Sequence, residues 1–179
     1  TNYVPNSRTK VVVEAIAYSA QDGDVQEEYG ALFGSKIAGS NTGQFNFWIH
    51  TSSGNTCLLE INGSSVGSDE FIYDKRITIT MDKNSVTWTD GTTSKTITTS
   101  TEFTDSTGND RHITMFASYD GRSYGGRGRG EIFSFKIYED DVLVRDYVPI
   151  QVEGSTTNFG MYDLVTGHYT GTEGNTSDR

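Results

Sequence analysis

Between residues 131 and 148 apolar and polar side chains take turns with little interruption, and no other stretch restricts the fold so tightly. Phe133, Phe135 and Ile137 fall on one side, and Ser134, Lys136 and Tyr138 on the other. A period of two is the pattern of a strand with one face in a core and one outside it. Glu139-Asp140-Asp141 breaks the pattern with residues suited to a tight turn, after which residues 142–148 resume extended. Pro149, which has no N–H for a ladder, is expected to stop the second strand, leaving a Gly-punctuated excursion to Tyr169. The reading is a β-hairpin with no catalytic group in it.

The rest of the chain repeats this grammar. Residues 10–18 (KVVVEAIAY) are apolar on both faces in part, as in a central strand. Strands are expected at 29–33, at Phe45–His50, at Cys57–Ile61, and at 76–81, where Ile77, Ile79 and Met81 share a face. Further strands are expected at 86–89, 95–99 and 112–117. Asn62-Gly63-Ser64-Ser65, residues 82–85 and Asp90-Gly91 supply hairpin-grade turns. Turn signals thus recur about every 8–12 residues, the spacing of an antiparallel sandwich. No helical period, internal repeat or dividing linker interrupts it, so all 179 residues are expected to form one domain.

Two passages carry a family resemblance. SFKIYEDDVLVRDYVPI, followed by GMYDLVTGHYT, resembles the C-terminal signature of the concanavalin A-like, laminin-G-type jelly-roll domains of bacterial surface proteins and of phage tail or capsid proteins. The opening TNYVPNSRTKVVVEA is similar to the turn and first complete strand of that family. The resemblance implies an all-β, two-sheet antiparallel jelly-roll sandwich, excised from a longer multidomain protein whose other domains would be its neighbours. Its shared residues are turn and core positions, so it implies a fold more than a function.

Composition narrows the partners. The net charge is −10, which repels nucleic-acid phosphates and anionic membrane surfaces alike. No apolar run approaches the ~20 residues that span a bilayer, and no signal or lipidation motif is present. Cys57 is the only cysteine, so no intrachain disulfide can form, and its apolar strand suggests a buried, inert thiol. Asn62-Gly63-Ser64 and Asn175-Thr176-Ser177 are formal glycosylation sequons of the kind that arise by chance.

Catalysis finds little support. Asp22-Gly23-Asp24-Val25-Gln26-Glu27 resembles the paired-carboxylate strand of retaining glucanases, which work with carboxyls about 5 Å apart. However, Asp22 stands where a glutamate is required, Gly23 breaks the strand, and the acidic stretch 19–28 reads as a solvated loop. His50, His112 and His168 are scattered, with no partner signature for nucleophilic or zinc chemistry. Relatives in the resembled fold hold calcium with loop oxygens, for which Asp105, Asp110 and Asp120 are the candidates here. The same residues are ordinary turn formers.

Binding finds more. If Phe45, Phe47 and Ile49 enter the core, Asn46, Trp48 and His50 line the opposite face. That set offers a ring to stack on a sugar and polar groups for its hydroxyls. Two readings of Trp48 stand side by side, a sugar platform and a ring covered by a neighbouring loop. Trp88, in step with Val86, is placed in the core. The loop 119–129 gathers Tyr119, Arg122, Tyr124, Arg127 and Arg129, aromatic and guanidinium groups typical of recognition surfaces. Its Gly-Arg run lacks the Lys-Ser/Thr of a phosphate-binding loop. The sequence is therefore read as a non-catalytic module that recognises a glycan or cell-surface ligand from the cell surface or virion. The alternatives are a structural or assembly module with no ligand and, behind it, a glycoside hydrolase.

Overall fold

A computed structural model describes residues 1–18, 29–37, 40, 42–50, 56–105, 111–119, 124–125, 128–151 and 159–171. In chain order the strands are β1 (Thr9–Ala17), β2 (Tyr29–Ser35), β3 (Phe45–His50), β4 (Cys57–Ile61), β5 (Ser64–Ser68), β6 (Arg76–Asp82), β7 (Ser85–Thr89) and β8 (Ser94–Thr98). There follow β9 (Thr114–Met115), β10 (Ser118–Tyr119), β11 (Tyr124–Gly125), β12 (Gly130–Glu139), β13 (Val142–Gln151), β14 (Phe159–Asp163) and β15 (His168–Gly171). Eight of them form one antiparallel sheet in the order β15-β14-β13-β12-β1-β6-β7-β8, and five form a second, β5-β4-β3-β2-β9. The two pack as a sandwich, the expected all-β, two-sheet antiparallel architecture. No described residue lies in an α-helix, and hence no described helix is long and apolar enough to cross a membrane.

Alternation explains the core. In β1 every second residue is buried, and Val11, Val13, Ala15 and Ala17 are fully enclosed. The larger sheet adds Ile77, Ile79, Met81, Val86, Trp88, Phe135, Ile137 and Tyr147, and the smaller answers with Leu32, Phe33, Phe45, Phe47, Ile49, Leu59 and Ile61. Rings interlock across the gap: Phe33 meets Phe135 edge-on at 5.6 Å, and Phe71, from the β5–β6 connection, sits 5.7 Å from both Phe47 and Trp88. Each such contact is worth about 0.5–1.5 kcal/mol beyond the area it buries. Phe103 closes one end against Phe45 at 5.2 Å.

The N-terminal segment lies against the part of the larger sheet around β12 and β13. Tyr3 accepts the Ile113 amide at its carbonyl, Asn2 Oδ1 accepts the Tyr147 hydroxyl at 2.7 Å, and the Tyr3 hydroxyl donates to Glu139 at 2.9 Å. Arg145 lies over the Tyr3 ring.

Several expectations change in detail. β13 does not stop at Pro149 but runs to Gln151, with Pro149 opposite Met161 on β14. Pairing with β12 ends at Tyr147, so beyond it one side of β13 is an edge, where proline is tolerated. The Gly-punctuated excursion contains a further hairpin, β14–β15. A bulge opposite Glu14/Ala15 takes Phe133 out of step, so Ile132 packs on the core while Phe133 carries the Arg76 guanidinium 4.1 Å from its ring centre. The strand expected over 112–117 shrinks to Thr114–Met115, because Phe116 adopts a left-handed φ of 53° and turns the chain. β5, with one apolar residue, Val66, carried no readable strand signal, and it takes in Ser64 and Ser65, expected in the turn. The tight turns are as expected: Asn62-Gly63 (φ 46° and 81°) and Asp140-Asp141 (φ 48° and 65°) both have the paired left-handed geometry that matches strand twist.

Candidate functional site

On the β3 face opposite the core, Asn46 and Trp48 are closed off from solvent, so of the two readings of Trp48 the covered ring is the one that fits. Phe45, Phe47 and Ile49 are fully buried as expected, but Asn46 is fully buried too and Trp48 is only 9% exposed. Asn46 fits because its neighbour is Gly34: a Cβ there would lie 2.1 Å from Asn46 Oδ1. Trp48 stands between Ala31 of β2 and Leu58 of β4. Its Nε1–H donates to Glu60 at 2.5 Å, and the Lys36 ammonium sits 5.6 Å from the ring centre. Trp48 is thus held from two sides, and most of its stacking area is already covered. Glu60 and Lys36 were not singled out in the sequence, since only strand pairing reveals them as neighbours of Trp48. His50 ends β3, in register with Tyr29.

The second candidate set is organised by a two-stranded ladder. Tyr119 of β10 is directly opposite Tyr124 of β11, and Ser118 opposite Gly125. This hairpin packs beside β2 and β9. Its return leg is anchored by a close approach: a Cβ on Gly128 would lie 2.5 Å from the Ala31 carbonyl oxygen, and the Gly128 amide donates to the Phe116 carbonyl. Beyond it the Arg129 carbonyl accepts the Tyr18 amide. Since Ala31 is also the strand partner of Trp48, β2 adjoins both sets, some seventy residues apart in the chain. Arg122 and Arg127 lie outside the described residues.

For calcium, Asp105 is occupied otherwise: its carboxylate accepts the Ser7 amide at 2.5 Å and the Ser7 hydroxyl at 2.8 Å, bracing the N-terminal turn. The Ser7 amide also holds the Asp105 carboxyl below its ordinary range. Asp110 and Asp120 lie outside the described residues, as do Asp22, Asp24 and Glu27. Among the described residues no three His, Cys, Asp or Glu side chains group closely enough to hold a metal. His50 and His168 end up in different sheets, and Cys57 is buried, its thiol pushed up to about 12 by that burial.

The signature passages work as packing and turn positions. Asp163 is fully buried beneath the β14–β15 turn, where its carboxylate accepts the amides of Asp146 (2.9 Å) and Val165 (3.1 Å) and the Thr166 hydroxyl (2.6 Å). Arg145 Nε approaches it at 3.5 Å. Burial pushes this carboxyl upward, but the hydrogen bonds and Arg145 together bring it below its ordinary range.

No protein-family model matches the chain, and no curated protein matches it. Among solved structures the fold is similar to part of full-length tailspike protein 2 (TSP2) from Escherichia coli O157:H7 bacteriophage CAB120, with a TM-score of 0.51, 12% identity and 78% of this chain covered. The chain spans 21% of that protein. At this identity the likeness is one of fold.

Proposed function

We propose that this domain is a non-catalytic recognition module of a larger phage or bacterial surface protein, and that it binds a surface carbohydrate through the β10–β11 hairpin. The observation that carries the proposal is the register of that hairpin, which sets Tyr119 opposite Tyr124 with Arg122 in the connection between them. Two aromatic residues and an arginine on a loop anchored to a rigid sandwich have the composition of a sugar- or partner-binding surface. The likeness of fold to part of a phage tailspike supports a virion or cell-surface setting. A structural or assembly module is the second reading, and the burial of Trp48 favours it.

The test is a glycan-array screen of the domain, with and without calcium, beside a Tyr119→Ala/Tyr124→Ala variant. Saturable binding by the parent that is lost in the variant is the expected result. Silence across a broad array from folded protein would overturn the proposal in favour of the structural module.

A further inference from the structure

The outward side of the larger sheet carries a second aromatic surface. Tyr162 of β14 and Tyr169 of β15 are paired across their ladder, one step out of phase with Tyr147 and Asp163, which face inward. Tyr169 does not stand upright from the sheet. A Cβ on Gly160 would lie 2.4 Å from its Cε2 and 2.7 Å from its Cζ, and one on Gly171 would lie 3.5 Å from its Cε1. Gly160 and Gly171 are themselves a direct pair, so their absent side chains form one recess in which the ring is laid along the sheet. Although seated in this way, Tyr169 remains 43% exposed, whereas Trp48 is 9% exposed.

The described residues paired along this part of the sheet are uncharged. Val148 is paired with Tyr162, and Ile150 with Gly160, both half-buried. The charges farther along this face, Lys136 and Asp146, lie 3.8 Å apart and offset each other. In a chain of net charge −10, the described residues here make a locally neutral patch, suited to a neutral ligand.

We propose that Tyr169 is the stacking platform of a saccharide-binding site on the outer face of β13–β15, taking the apolar face of a neutral pyranose ring. The negative face of an aromatic ring attracts the polarised C–H groups of such a face, and both surfaces leave water on contact. A ring already seated in a backbone recess loses little rotamer freedom when a ligand arrives. The site lies on the opposite sheet from the β10–β11 hairpin, and it stands or falls independently of that one.

The test is an amide-resolved NMR titration of the full chain with cellohexaose, maltohexaose and chitohexaose as separate probes. Saturable shifts at Gly160, Gly171 and Tyr169 are expected with at least one of them. Tyr169→Leu, which refills the recess without an aromatic face, is expected to weaken that binding about tenfold or more while leaving the rest of the spectrum intact. Tyr169→Phe is expected to retain it, and Tyr119→Ala/Tyr124→Ala to leave these shifts unchanged. The absence of saturable shifts at the two glycines with all three probes, or undiminished binding by Tyr169→Leu, would overturn the site. Either result leaves the hairpin reading to its own test.

Discussion

Trp48 keeps 9% of its surface in contact with solvent, with its N–H on Glu60, so truncating it opens a void in a packed layer. Trp48→Ala is therefore expected to lower the unfolding free energy by about 3 kcal/mol, measured by urea denaturation. A loss of ligand binding with unchanged stability would instead return Trp48 to the role of an exposed sugar platform. Cys57, buried with its thiol pushed up to about 12, is expected to resist alkylation until the domain unfolds. Labelling of the native protein at the rate of a free thiol would contradict that placement. The carboxylates respond to pH with a definite sign. Tyr3 and Asn6, with Arg8 nearby, hold Glu139 below its ordinary range, and a depressed carboxyl adds stability above the unfolded value of about 4.3. That contribution is lost as pH falls through the folded value. The unfolding midpoint is thus expected to drop below about pH 4, and to drop less in Glu139→Gln. Equal acid sensitivity in both proteins would remove Glu139 from the explanation.

At the scale of elements, alternation was a sound guide wherever one face meets the core. Ile77, Ile79 and Met81, Val86 and Trp88, and Phe135 and Ile137 all lie where their period of two put them. It misled where pairing intervenes. Phe133 leaves the core because it is the extra residue of a bulge in β12, where Ser134 pairs with Glu14 and Ile132 with Ala15, a register that shows only once β1, more than a hundred residues away in the chain, is paired with it. Alternation also named the β3 face without revealing that Gly34 makes room for Asn46, or that Glu60 and Lys36 close on Trp48. The register of Tyr119 with Tyr124 was likewise invisible, because two-residue strands have no period to read. The N-terminal segment shows what long-range pairing adds. The Tyr3 hydroxyl meets Thr9, Asn6 and Glu139, and its ring is buried in the core. Tyr3→Phe is expected to cost about 1 kcal/mol and Tyr3→Ala about 3 kcal/mol in the same denaturation assay. Equal effects would mean that the hydroxyl network, and not the buried ring, holds the segment.

Across the whole molecule, charge and architecture point the same way. A net charge of −10 repels polyanions, and with the aromatic core closed, the proposed recognition falls to loops and outward faces. The measurement that bears most directly on this is the dissociation constant of an array-selected glycan for the parent domain and for Tyr119→Ala/Tyr124→Ala, with thermal melts of both. Affinity reduced about tenfold or more in the variant, at an unchanged melting temperature, is the result expected of hairpin recognition. Equal affinity in the two proteins would contradict it.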